Sequence, residues 1–128
     1  MTFVSDRRAR ASRSPFGLFE LAVRPDRDVA RLAPTGELDI ATAPLVRRHV
    51  DDLVKAGFTH LVIDLRGLEF IDCSGVRLLL ELEAGARSDG WRLTLIQGRD
   101  AVQRLFTLTE TLTRLPFTSA DGLGARPQ

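Results

Sequence analysis

Leu61-Val-Ile-Asp-Leu-Arg-Gly-Leu-Glu-Phe-Ile-Asp-Cys-Ser-Gly-Val-Arg-Leu-Leu-Leu80 is the stretch that decides the fold. Leu61 to Leu65 is too short for a typical globular helix, is rich in branched residues and is closed by Arg66-Gly67, so it reads as a buried strand. A helix then starts near Ser74. Asp72 and Ser74 are both good N-cap types, and Gly75, Leu78, Leu79, Leu82 and Ala86 recur at the spacing of one helical face. Arg77 with Glu81 and Glu83 with Arg87 put opposite charges four residues apart on the solvated side. The polar loop between strand and helix thus presents Asp72, Cys73 and Ser74 at a helix N-terminus, where unpaired backbone N–H groups favour anions, a phosphate among them.

Working outward, Phe16 to Arg24 alternates apolar and charged residues and stops at the turn Pro25-Asp26-Arg27-Asp28. Val29 to Ala33 reads as a second strand, broken by Pro34 and Gly36, so the pair forms a hairpin. Thr42 is an N-cap type and Pro44 suits a first helical turn. Val46, Val50, Leu53 and Val54 then make an apolar stripe up to Gly57, with Arg47/Asp51, Arg48/Asp52 and Asp51/Lys55 paired opposite it. Downstream, Ser88 to Gly90 is a turn and Arg92 to Ile96 a strand. A third helix carries Val102, Leu105 and Phe106, and Leu115-Pro-Phe117 is a short edge strand. Strand and helix alternate, which predicts an α/β fold with right-handed crossovers.

Composition narrows the function. The 128 residues fit one domain, and 44% hydrophobic content suffices for a real core. A formal net charge of +1 gives no global field for nucleic acid or an anionic membrane. Arg7, Arg8, Arg10 and Arg13 fall in an N-terminal stretch without apolar periodicity, which predicts a disordered basic tail over residues 1–15. The single cysteine excludes an intramolecular disulfide framework. No apolar run reaches the roughly 18 residues of a membrane span, and the N-terminus lacks the apolar core of a signal peptide. A cytoplasmic protein is expected. His49 and His60 are the only histidines and no Cys/His cluster accompanies them, so neither metal nor other cofactor is expected. The acids Asp39, Asp64, Glu69 and Asp72 read as caps and turns, with Asp64 satisfied by backbone donors near a strand end. No nucleophile–base pair or phosphate-cradling loop is visible, and no enzyme is expected.

Together with Gly36-Glu-Leu-Asp-Ile-Ala-Thr-Ala-Pro44, the central stretch resembles the STAS family, whose bacterial single-domain members are anti-sigma factor antagonists. The likeness spans residues 16–118 and implies one STAS-like domain with a mixed sheet of four to five strands covered by helices. Residues 119–128 are left as a C-terminal tail, where the family usually adds one more helix. In the family, the first hydroxyl of an Asp-Ser-Ser/Thr-Gly loop is phosphorylated by a kinase-type anti-sigma factor. Here that loop reads Asp72-Cys73-Ser74-Gly75, so Cys73 holds the phosphoacceptor place and Ser74 is the candidate acceptor. The resemblance puts the partner-binding loops at Glu37, Asp39, Asp72, Cys73, Ser74, Gly75, Val76 and Arg77. It implies an anti-sigma factor of the serine-kinase type as partner, no nucleic acid and no membrane, with monomer and dimer both open. Two further readings stay open: an interaction module of another regulatory or transport-associated assembly, and a redox sensor at Cys73, since a helix N-terminus is one setting in which thiols become reactive.

Overall fold

Residues 7–14 and 17–118 are described by the computed structural model, with side chains described from residue 19 onward. The strands β1 (Arg7–Ser14), β2 (Gly17–Asp26), β3 (Val29–Leu38), β4 (His60–Asp64), β5 (Leu68–Ile71), β6 (Arg92–Ile96) and β7 (Phe117–Thr118) alternate, from β3 on, with helices α1 (Ala43–Lys55), α2 (Cys73–Asp89) and α3 (Asp100–Leu108). The sheet runs β1-β2-β3-β4-β6-β7, with β5 attached to β3 beside that path. The first two pairings are antiparallel and the others parallel, so the sheet is mixed.

Side-chain alternation builds the core. Leu21 and Val23 of β2, Ala30 and Leu32 of β3, Leu61 and Ile63 of β4, and Leu93 and Leu95 of β6 are buried in one cluster with Val46, Val50 and Leu53 of α1 and the α2 stripe. Each fully buried Leu or Ile contributes about 1.5–3 kcal/mol, and these are what fasten the helices to the sheet. The α2 residues expected to face inward, Gly75, Leu78, Leu79, Leu82 and Ala86, are all buried, and Gly90 closes the helix at φ 81. At the far edge Phe106 of α3 meets Phe117 edge-to-face, with ring centroids 4.9 Å apart.

The structure corrects the sequence reading in several places. Arg7–Ser14, expected within a disordered tail, forms β1 on the open edge of β2. An edge strand supplies backbone donors and acceptors to whatever chain lies beside it, so pairing here needs no apolar pattern. Residues 1–6 of that tail, and 119–128 with any closing helix, lie outside the described residues. Pro34 and Gly36 do not break β3. The strand pairs with β4 over Val29–Leu32 and with β5 from Gly36 onward, and Pro34 stands in the interval between the two ladders, where a missing N–H is tolerated. The loop after β4 contains a 3₁₀ turn at Leu65–Gly67 and then β5, which with β1 raises the strands from the expected four or five to seven among the described residues. Finally, Glu81 pairs with Arg47 of α1 in place of Arg77, so a charge pair assigned to one helix instead ties two together. The pair Glu83/Arg87 forms as expected, at 3.0 Å.

Candidate functional site

β3 ends against two loops at once. Leu38 pairs with Ile71 of β5, and the Leu38 carbonyl accepts the Asp72 N–H at 3.2 Å. The Gly36–Pro44 loop and the start of α2 are therefore held side by side.

On the first loop, Asp39 is 3% exposed and Thr42 fully buried. Asp39 Oδ1 accepts from the backbone N–H of Ala41 at 2.9 Å and of Thr42 at 3.1 Å. Thr42 Oγ1 in turn accepts the Asp39 N–H at 2.9 Å and donates to the Glu37 carbonyl at 2.7 Å. Thr42 occupies the N-cap position of α1 but makes no side-chain cap there, because its hydroxyl is committed to this turn. Asp39, expected on a partner-binding surface, is thus an interior brace, and Glu37 beside it is half-buried. The turn it braces pushes Ile40 outward to 77% exposure.

On the second loop, Asp72 is the N-cap of α2. Its Oδ1 accepts from the N–H groups of Ser74 at 2.9 Å and Gly75 at 3.3 Å. Cys73 is the first helical residue and is exposed, Ser74 is half-buried, and Arg77 is exposed one turn on. Gly75 is where backbone and core meet most closely: a Cβ there would stand 2.6 Å from Ile71 Cγ1 and 3.0 Å from Leu38 Cγ. Val76, expected on the exposed side of the helix, is buried at 5%. Of the residues expected to meet a partner, the structure therefore brings Asp72, Cys73, Ser74 and Arg77 to the surface together, and assigns Asp39, Gly75 and Val76 to the scaffold.

A groove of about 600 Å³ opens from this corner between α1 and α2. Ile40, Pro44 and Leu78 give it apolar wall, Ser74 and Arg77 stand at one end, and the Arg47–Glu81 pair crosses it. Ile40 and Pro44 belong to the Gly36–Pro44 loop but were not singled out as contact residues. The signal was present as an isoleucine in an otherwise small and polar loop, but its direction depends on the Asp39–Thr42 brace.

Elsewhere, Asp64 accepts from the backbone N–H of Arg66 at 3.0 Å and is gripped by the same residue's Nε at 2.9 Å and Nη2 at 2.7 Å. Burial works against its charge, yet the Arg66 hydrogen bonds and the charges of Arg66 and Arg31 outweigh it and hold the carboxyl below its ordinary pKa. The expected backbone donor is there, joined by a guanidinium. His49 Nδ1 lies 3.0 Å from the Leu45 carbonyl and His60 Nε2 lies 2.9 Å from Thr94 Oγ1, and no group of three metal-ligating side chains occurs among the described residues. No helix among them is long and apolar enough to cross a membrane.

Compared with known proteins, residues 21–112 match the family model described as the Mlab, STAS domain. The chain belongs to the STAS family. Its α/β fold is that of SpoIIAA-like proteins. An anti-sigma factor antagonist from Mycobacterium paratuberculosis is similar at 25% identity and a TM-score of 0.69, over 89% of this chain and 97% of that one. A putative anti-sigma factor antagonist from Thermotoga maritima reaches a TM-score of 0.72 at 22% identity, over 81% and 91% of the two chains. The anti-sigma factor antagonist SpoIIAA in its unphosphorylated form gives 0.67 at 19% identity, over 80% and 91%. At the latter two identities the likeness is one of fold. In this STAS domain the family match covers both loops of the corner, from Gly36 to Pro44 and from Arg66 to Gly75, and it ends before β7.

Proposed function

We propose that this STAS domain is an anti-sigma factor antagonist that binds an anti-sigma factor of the serine-kinase type and so regulates sigma-dependent transcription in a bacterial cytoplasm. The observation that carries this reading is the juxtaposition of half-buried Ser74 and 77%-exposed Ile40 on one groove, with exposed Cys73 next to Ser74 at the start of α2, held by a hydrogen bond from the Asp72 N–H to the Leu38 carbonyl. An apolar cleft rimmed by a few charges is the form of a helix-binding surface. The chain acts by binding and performs no chemistry of its own.

The switch residue differs from the family pattern. Cys73 stands where the phosphoacceptor serine is expected, and Ser74 is the hydroxyl within reach at the same helix end. Ser74 accepts the phosphate in this proposal. The test mixes the purified full chain with each kinase-type anti-sigma factor of its own genome, measuring complex formation by calorimetry and the recovery of sigma-dependent transcription in a reconstituted assay. A stoichiometric complex that restores transcription, with ATP-dependent phosphate mapped to Ser74, is the expected result. Absence of a complex with every such factor overturns the reading.

A further inference from the structure

The groove between α1 and α2 does not stop at the corner. A second hollow, of about 350 Å³, continues it, and Arg47, Asp51 and Glu81 line both parts. Val54, Leu82 and Trp91 give the far part its apolar wall. Residue numbers rise together along the two helices, from Pro44 and Ser74 in the near part to Lys55 and Asp89 in the far part. α1 and α2 are therefore parallel, and both begin at the corner. At roughly 1.5 Å per residue, the 13 residues of α1 make the whole groove about 20 Å long.

Gly85 lines the far hollow. A glycine inside a helix weakens it relative to alanine, and no contact within the fold requires this one. A Cβ on Gly85 meets nothing within 4 Å, whereas at Gly75 it collides with Ile71. The space beside Gly85 is room for a side chain from outside.

The charges have an order as well. Arg48 and Arg77 stand in the near part, both exposed, and among the described residues neither side chain is in an ion pair or a hydrogen bond. The positive N-terminal ends of α1 and α2 lie at that same end. Asp51 stands midway, and in the far part, where both helices finish, Asp89 offsets Lys55. The corner end is thus the positive one. A helix laid along the groove is favoured with its own C-terminal end at the corner, because that end carries the negative pole of its dipole. Carboxylates in its last turns then meet two unpaired guanidinium groups.

We propose that an amphipathic helix of the anti-sigma factor fills the whole groove, antiparallel to α1 and α2, with a bulky apolar side chain seated over Gly85 against Trp91. The inference rests on the binding reading above, and adds to it a second anchor at the far end of the groove and a direction. The test uses the full chain and the factor that forms a complex with it. Gly85→Leu fills the hollow from within. It is expected to keep the unfolding midpoint at or above wild type and to weaken the complex roughly tenfold or more, read by calorimetry. Gly85→Ala adds one methyl and is expected to weaken it by a smaller factor. Gly85→Gln, of similar bulk to leucine, is expected to show the larger loss and serves if Gly85→Leu disturbs folding. Direction is read from two unique handles: Lys55, the single lysine, in the far hollow, and Cys73, the single cysteine, next to Ser74 at the corner. Photo-cross-linkers attached to the Lys55 amine or the Cys73 thiol in the preformed complex are expected to reach one helix of the factor, its N-terminal part from Lys55 and its C-terminal part from Cys73. Wild-type affinity in Gly85→Leu and Gly85→Gln, cross-links to two separate segments, or the reverse polarity overturns this inference and leaves the corner interface standing. Absence of a complex with every kinase-type factor overturns the binding reading, and this inference with it.

Discussion

The Asp72 N–H donates to the Leu38 carbonyl at 3.2 Å, and this bond joins the end of β3 to the first residue of the α2 corner. Two side chains, Leu38 and Ile71, close behind it on the space where Gly75 carries no Cβ. Packing there is what sets the position of Cys73 and Ser74.

Replacing Gly75 by Ala brings a methyl to 2.6 Å from Ile71 Cγ1. Ile71 and Leu38 are both buried and cannot move aside freely, so the variant is expected to lose about 1–3 kcal/mol. Gly85→Ala is the control on the same helix. A Cβ at Gly85 meets nothing within 4 Å, and that variant is expected to gain roughly 0.4–1 kcal/mol. Chemical denaturation of both variants reads the difference.

Thr42→Val keeps shape and removes a hydroxyl. The Asp39 N–H and the Glu37 carbonyl lose their partner inside a turn that is largely buried. A loss of about 1–3 kcal/mol is expected, seen as a lowered unfolding midpoint. If Asp39 served mainly as a surface contact, Thr42→Val would cost partner affinity and leave the midpoint in place.

Ser74→Asp places a charge at the N-terminus of α2, where the helix dipole favours it by about 0.3–1 kcal/mol, next to Asp72, which opposes it. Stability close to wild type is expected. A partner docking on the corner has to desolvate the new carboxylate, so affinity for the anti-sigma factor is expected to fall tenfold or more, which needs only about 1.4 kcal/mol. Calorimetry with the partner and thermal melts of the free protein separate the two effects.

Asp64 predicts an acid limb. Its folded-state pKa is depressed below the ordinary value of 3.8, so its ion pair with Arg66 contributes stability that is present above the unfolded pKa. That contribution is lost as pH falls through the unfolded value toward the folded one. In Arg66→Gln the folded and unfolded pKa values of Asp64 move together, and the fall in unfolding free energy between about pH 5 and pH 2 becomes shallower than in the wild type. Urea titrations across that range measure the slope.

The helical core was readable because a stripe such as Leu78, Leu79, Leu82 and Ala86 repeats along the chain itself, and β4 and β6 were readable as short apolar runs. β1 was not, since Arg7–Ser14 is held by backbone pairing to β2, which carries no side-chain signature. β5 has four residues, too few to show a period, and exists because β3 leaves its second half unpaired by β4. For the corner, the motif located Asp72, Cys73 and Ser74. It did not distinguish Val76, which faces the core, from Arg77, which faces solvent, because that choice follows from how α2 rotates against Ile71. The burial of Asp39 is hidden for a related reason: a loop aspartate and a buried brace are spelled alike, and only the Thr42 hydroxyl beside it tells them apart.

The fork in β3 limits how this corner conveys information. One strand reaches both loops, the first as its own continuation and the second through β5, so neither loop has slack to swing independently. A modification at Cys73 or Ser74 then has little geometry to change. Under the proposed function, such a modification would act through the charge or bulk of the added group at a fixed address, with the frame around it unchanged.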